Sequence, residues 1–273
     1  MQLDADHHIH TIYSQHSDAE MTVERIVATA AALGLRRIVI LEHIPTIGAP
    51  GLTLGAWKEG RNRRESLDRI AADLEQVAGR FPAVRVLRGA EVDADPLSLD
   101  GAMMLEDLSG VDVVLGATHL LPGATAFWYD RRVPPPEEAG PLAGVWRDWM
   151  LKFLRRGRLH ALAHPGDIVG VGQLLPPFDD ARTIEFFEPL LEAMREQHVA
   201  FELNESLGGK LPPPYREAYP ALVLCAREAG LKFAVSSDAH QPDKIGRFAW
   251  VPHLIEQAGL TEEDLWTPPA AAR

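Results

Sequence analysis

Two short patterns in this chain place metal-binding side chains two residues apart: His8-Ile9-His10 and Asp238-Ala239-His240. In an extended backbone, residues i and i+2 project to the same face, so each pair can offer two donors to one cation. The chain has eleven histidines, and seven of them fall where an apolar, strand-like run is ending or has just ended. His8 and His10 close the first such run, and His16 follows in the next loop. His43 comes just after Ile38-Val39-Ile40-Leu41, His119 closes Val113–Thr118, His164 closes Leu159–Ala163, and His240 follows Ser236-Ser237-Asp238. Two carboxylates, Glu91 after Val86–Ala90 and Asp238, hold the same kind of position. A single histidine at a strand end is usually an ordinary loop residue. Nine donors recurring on one rim of a parallel sheet imply a cluster of divalent ions. Imidazole-rich sites with a bridging carboxylate suit Zn²⁺, Mn²⁺ or Fe²⁺, whereas Mg²⁺ and Ca²⁺ prefer mostly oxygen. His7, His160, His198 and His253 lack this placement and read as structural; strict alternation points His7 away from His8.

The elements that must position these donors are legible as alternating apolar and helical segments. Strands are expected at 3–9, 37–41, 85–92, 111–117, 159–163, 199–203 and 232–236. Helices are expected near 22–32, 62–78, 142–156, 183–197 and 215–229. Thr22 is a helix-start signal, while Gly34 and Gly230 end helices ahead of strands. Seven strands with intervening helices imply a parallel sheet, and one closed or nearly closed barrel across residues 1–273 is the compact solution. Two stretches, 45–54 and 120–141, read as insertions. The second carries Phe127-Trp128-Tyr129-Asp130-Arg131-Arg132, and loops after barrel strands commonly wall a substrate site.

Bulk properties narrow the function. A formal charge of −12 argues against a general nucleic-acid binder, which needs a basic footprint for the phosphate backbone. Small phosphorylated ligands stay admissible, because bound cations can reverse the local field. The apolar runs are strand-length, far below the roughly 20 residues of a membrane span, and no secretory signal pattern opens the sequence. The single cysteine, Cys225, offers neither a disulfide framework nor a thiolate metal site, so a reducing cytoplasm is expected.

Taken together, Asp6-His7-His8-Ile9-His10-Thr11 with Ser14 and His16, Glu42-His43, Gly89-Ala90-Glu91, Thr118-His119, Ala163-His164-Pro165 and Ser237-Asp238-Ala239-His240 resemble the PHP (polymerase and histidinol phosphatase) superfamily. The matching motifs occur in family order from residue 6 to residue 240. The resemblance implies a distorted (β/α)7 barrel of the PHP type, with two to three divalent metal ions (Mn, Zn or Fe) at the C-terminal rim of the strands. It implies His8, His10, Glu91 and Asp238 around one ion. Glu91, His119 and His164 are implied around a second, and His16, His43 and His240 around a third. The C-terminal third, with Phe201-Glu202-Leu203-Asn204-Glu205-Ser206, Tyr215 and Tyr219-Pro220, is most similar to the histidinol-phosphatase branch. The chain has Leu41-Glu42-His43 where the family usually has Thr-Asp-His, and it lacks the basic residue that many phosphatase members carry just after His164-Pro165.

The expected activity is therefore metal-dependent hydrolysis of a small phosphate monoester, with L-histidinol phosphate the leading substrate, by attack of a metal-bridging hydroxide. Three divalent ions would bring about +6 against about −2 from Glu91 and Asp238, which favours a dianionic phosphate over a neutral amide or lactone. His43, Asp238 and His240 are the expected catalytic residues, with His43 or His240 able to protonate the leaving alkoxide. Arg247, Arg131, Arg132, Arg61 and Lys210 are candidate phosphate clamps. Asn204 and Glu205 end a strand on the active rim, where one can contact substrate or orient a ligand. Alternatives are a phosphodiesterase, an amidohydrolase-like C–N or C–O hydrolase on the same site, and a non-catalytic metal-binding module. Against the amidohydrolase, Glu91 stands where such enzymes often place a carboxylated lysine. The expected partner is a small phosphorylated metabolite, with neither nucleic acid nor membrane, and oligomeric state is left open.

Overall fold

Side chains along the strands alternate between two apolar environments, and that alternation shapes the barrel. In a computed structural model, residues 1–14, 16–44, 63–95, 98, 100–103, 108–119, 133–156 and 158–269 are described. Strands β1 (Ala5–His10), β2 (Arg37–Leu41), β3 (His43–Ile44), β4 (Arg85–Asp93), β5 (Val113–Ala117), β6 (Ala161–Leu162), β7 (Ala200–Asn204) and β8 (Phe233–Ser236) pair in parallel in the order β1-β2-β4-β5-β6-β7-β8. The two-residue β3 extends β2 past Glu42 and pairs with β4. Just beyond β8, Ala239 pairs with Ile9; His10 N donates to Ala239 O (3.0 Å) and Ala239 N to His8 O (3.3 Å). These contacts bring the two edges of the sheet together, giving the expected distorted seven-stranded barrel.

One residue set faces inward: Val39, Leu41, Leu87, Val113, Leu115, Ala117, Ala161, Ala163, Ala200 and Ala234 form a single buried cluster, against which Trp266 packs. Their alternates face the helices. Ile9, Ile38 and Ile40 pack with residues of α1 (Val23–Ala32) and α2 (Arg63–Val77). Val92, Val114, Phe201, Phe233 and Val235 pack with α3 (Pro136–Arg155), α5 (Ala181–Glu196), α7 (Pro213–Glu228) and α8 (Trp250–Gln257). Burying each large apolar side chain there contributes about 1.5–3 kcal/mol. Gly89 is inward too, where a Cβ would meet Val39 Cγ1 at 2.6 Å and Leu41 Cβ at 2.9 Å. At this position β2 and β4 leave no room for any other residue.

The strands and long helices fall within a few residues of their expected positions. Thr22 caps α1, its side chain accepting from Arg25 N at 3.2 Å. Helix α3 starts six residues before the expected 142, inside the stretch read as an insertion, because Pro136 occupies the first helical turn, where its missing N–H costs nothing. Three short helices went unforeseen: α4 (Asp167–Val171), α6 (Leu207–Lys210) and α8. With five, four and eight residues they are too short to print a helical period. The loop at 45–54 and residues 120–132, Arg131 and Arg132 included, lie outside the described residues, as does Arg61. Among the described residues, no helix is long and apolar enough to cross a membrane.

Candidate metal centre

The inward register, carried one step past the last apolar layer, delivers the donors. Val39 and Leu41 are followed by His43, Leu87 and Gly89 by Glu91, Leu115 and Ala117 by His119, and Ala234 and Ser236 by Asp238. His43, Glu91, His119 and Asp238 are all buried. In β1 the register with β2 shifts between Asp6 and Ile9. That irregularity sets aside the alternation expected for His7: its ring meets Trp266 edge-on, with centroids 5.1 Å apart, so it too reaches the barrel interior. His8 and His10 then both point to the cluster. His164 (φ +34°) and Asp238 (φ +54°) adopt the left-handed region without being glycine. Such conformations cost about 1–3 kcal/mol each and mark residues held in place by their surroundings.

Glu91 is the hub. Its Oε2 lies 2.6 Å from His43 Nδ1 and 3.5 Å from both His8 Nε2 and His10 Nε2. Its Oε1 lies 3.0 Å from His164 Nε2 and 3.4 Å from His119 Nε2. Asp238 Oδ1 is 3.5 Å from His8 Nε2 and from His10 Nε2, and those two nitrogens face each other at 3.0 Å. Donors about 2.0–2.1 Å from a tetrahedral cation stand about 3.3 Å apart. The His8, His10, Glu91 and Asp238 separations therefore match the edges of one coordination shell. Among the described residues, three overlapping groups have donors within 4.8 Å of one another: His8-His10-Glu91, His43-Glu91-His119 and His10-His43-His240. His16 joins the last, its ring 4.4 Å from that of His240 and 5.2 Å from that of His43. His240 Nε2 is buried and makes no hydrogen bond, as a nitrogen reserved for a cation should be. All nine expected donors thus converge, and the donor set fits divalent ions.

A second layer of carboxylates, not singled out in the sequence, orients the rings. Glu202, fully buried, receives His8 Nδ1 (2.7 Å) and Ser236 Oγ (2.7 Å) on one oxygen, and His164 N and Asn204 Nδ2 (3.0 Å) on the other. Asp93 takes His119 Nδ1 at 2.9 Å and Asp167 takes His164 Nδ1 at 2.8 Å. In each case a carboxylate holds the far nitrogen and leaves Nε2 directed at the centre. Glu42, the departure from Thr-Asp-His, accepts from both Thr11 N (3.1 Å) and Thr11 Oγ1 (2.6 Å). It ties the residue after His10 to the residue before His43.

The expected substrate contacts are placed less uniformly. Asn204 is buried and engaged at both ends, donating to Glu202 and accepting from Ser206 Oγ (2.9 Å) and Leu207 N (3.0 Å); its visible work is to hold Glu202. Glu205 accepts from the N–H groups of Ala249, Trp250 and Val251, capping α8. Arg247 is exposed, and no described contact joins it to the cluster. Among the described residues, Lys210 on α6 brings a cationic side chain to the centre: its Nζ lies 3.1 Å from Asp238 Oδ2 with 39% of the side chain exposed. His160 accepts from Val114 N at 3.0 Å, in keeping with a structural part.

The charges are strongly coupled. Burial opposes a charged His8, yet Glu202, Glu91 and Asp238 hold its pKa well above the usual range. Burial likewise opposes a charged His164, but Asp167 and Glu91 raise its pKa to about 10. Burial works to raise the Glu91 pKa, and the facing rings of His43, His119 and His8 bring it well below the carboxylate range. Without metal, His8 and His164 therefore carry protons at neutral pH, and a cation must displace them. Metal uptake at pH 7.5 is expected to release protons, and affinity to fall as the pH is lowered. Calorimetric titration in buffers of different ionisation enthalpy checks this; an enthalpy identical in every buffer would refute it. The stability contributed by the raised His164 is present below its unfolded value near 6.5 and disappears as pH rises through about 10.

A closed parallel barrel with a buried histidine–carboxylate cluster at its C-terminal rim defines a metal-dependent hydrolase. The PHP domain family matches residues 6–206. A probable histidinol-phosphatase of Deinococcus radiodurans is 30% identical over 261 residues, covering 93% of each chain. The chain belongs to the PHP domain family. A probable phosphatase of Photobacterium profundum is 26% identical over 98% of this chain and 90% of its own. Among solved structures, histidinol phosphate phosphatase of Lactococcus lactis, complexed with zinc, L-histidinol and phosphate, superposes with a TM-score of 0.66 over 95% of both chains at 17% identity. The putative histidinol phosphatase of Listeria monocytogenes superposes at 0.61, covering 89% of this chain and 97% of its own at 18% identity. At these identities the structural likeness establishes the fold.

Proposed function

We propose that the chain is a phosphomonoesterase of small metabolites, with L-histidinol phosphate its leading substrate. The observation that supports this is Glu91, one buried carboxylate within 3.5 Å of five imidazoles, placed to be shared between cations. Divalent ions bound there would supply an acidified nucleophilic water and charge to hold the non-bridging phosphate oxygens. The protein's own residues do the rest. Glu202, Asp93 and Asp167 fix the tautomers of His8, His119 and His164. Lys210, with its ammonium at the rim, meets the phosphate. His240, its Nδ1 held by Asp238 O and its Nε2 buried and unbonded, serves as a cation donor at the rim, with no nitrogen left to protonate the leaving alkoxide. The relatives named as phosphatases support the same reaction.

The test is phosphate release by protein reconstituted with Mn²⁺ or Zn²⁺. L-histidinol phosphate is compared with sugar and nucleotide monophosphates, and a His8→Ala variant serves as control. A strong, His8-dependent preference for histidinol phosphate supports the full reading. A broad preference keeps the phosphomonoesterase and removes that substrate, and bound metal with no monoester turnover overturns it. For the preferred ester, Lys210→Met is expected to raise KM about tenfold or more, as loss of a charge-assisted hydrogen bond worth about 1.5–3 kcal/mol requires. An unchanged KM would remove Lys210 from the phosphate site.

A further inference from the structure

We infer that the centre grips its cations unequally: two sites around Glu91 fill first and hold, and a third at the His16–His43–His240 rim fills last and exchanges. This rests on the metal-centre reading above and adds an order of loading to it.

Three features set His16 and His240, the donors peculiar to the rim, apart from the inner ones. The first is charge. The two inner groups contain the Glu91 carboxylate, and Asp238 Oδ1 lies 3.5 Å from both His8 and His10. The rim group, His10-His43-His240 with His16 beside it, has no carboxylate of its own and shares one only through His10 and His43, which face Glu91 at 3.5 and 2.6 Å. Asp238 approaches His240 Nδ1 only to 3.7 Å, with an oxygen already directed at His8 and His10.

The second is what stands behind each ring. His8, His119 and His164 are backed by Glu202, Asp93 and Asp167, and a carboxylate on the far nitrogen makes the imidazole a stronger base toward metal. His16 and His240 are backed by neutral carbonyls, Ser14 O at 3.0 Å and Asp238 O at 2.9 Å. The third is solvent. The side chains of His8, His119 and His164 are at most 6% exposed, His240 is 24% exposed, and His16 is an exposed residue. Water weakens ligand–cation attraction and competes for the ion. Occupancy of the rim site therefore follows the free metal concentration, while the inner pair stays loaded.

The experiment needs no substrate. Metal-free protein is titrated with Mn²⁺ by equilibrium dialysis at pH 7.5, and the metal retained after gel filtration is counted. The expected result is two retained equivalents and a third that dissociates about ten- to a hundredfold more readily, the scale on which outer partners set affinity. His16→Ala, a change at an exposed residue, should abolish only the weak step; Asp93→Asn should move one retained equivalent into the weak class. Three equivalents of equal affinity, or loss of a retained equivalent in His16→Ala, would overturn the order. Neither outcome touches the phosphatase reading, which fails separately if loaded protein hydrolyses no ester. No binding at all would overturn both.

Discussion

Glu91→Gln is expected to lower phosphomonoester turnover by at least about a thousandfold, equivalent to about 4 kcal/mol of barrier, and to strip metal from the protein. The amide keeps the size and burial of the carboxylate, so the barrel should survive and its circular dichroism should stay unchanged. The negative charge and the second equivalent oxygen disappear. Glu91 touches His43 and His8 through one oxygen and His164 and His119 through the other, and among the described residues it alone belongs to both inner groups. An amide oxygen can still bind one cation weakly, but its NH₂ end would present protons to His119 and His164. Metal content by elemental analysis, read beside activity, checks the prediction. A variant within tenfold of the parent and fully loaded would remove Glu91 as the bridge.

The second large effect is on stability. Glu202→Ala should destabilise the metal-free protein by about 3–5 kcal/mol, the range for removing one partner of a buried ion pair. Four donors lose their acceptor together: His8 Nδ1, Ser236 Oγ, His164 N and Asn204 Nδ2. For a chain of this length that corresponds to a fall in Tm of about 10 °C. Burial works to raise the Glu202 pKa, but His8 and His164 lower it below the usual value. Its contribution is therefore present above the unfolded carboxylate pKa and is lost as pH falls through the lower folded value. The difference in Tm between parent and variant should shrink on acidification. A loss below about 1 kcal/mol at pH 7 would show that Glu202 is not the organising acceptor.

These two residues illustrate what a sequence makes legible. Glu91, like His43, His119 and Asp238, extends an inward strand register by one step, so period-two alternation reveals both its position and its direction. Glu202 lies on the same register as Ala200 and Asn204, between Phe201 and Leu203. An acid flanked by large apolar residues inside a buried strand was the available signal, and its partners, far away in sequence, were not readable. Asp93 and Asp167 look like ordinary loop acids until the rings above them are placed. The irregularity in β1 between Asp6 and Ile9 leaves no compositional trace, which is why His7 was assigned the wrong face. The barrel itself was legible because its strands and long helices are periodic. Cations were harder: Arg247 follows the Asp-x-His closely in sequence yet stays exposed, while Lys210 reaches Asp238 from a four-residue helix with no period to detect.

The seam between β1 and the segment after β8 has a kinetic consequence. Asp6 receives Ser237 N (2.9 Å), Ser237 Oγ (2.6 Å) and Gly246 N (2.9 Å), partners some 231 to 240 residues away along the chain. His8 and His10 meet Asp238 across the same line. A nascent polypeptide therefore cannot assemble the His8–His10–Asp238 donor set until its last barrel strand has left the ribosome. Contacts of such separation form late and slowly. A cation bound across the seam would act as a latch: it would be captured only by a finished barrel, and by binding the closed joint alone it would hold that joint shut.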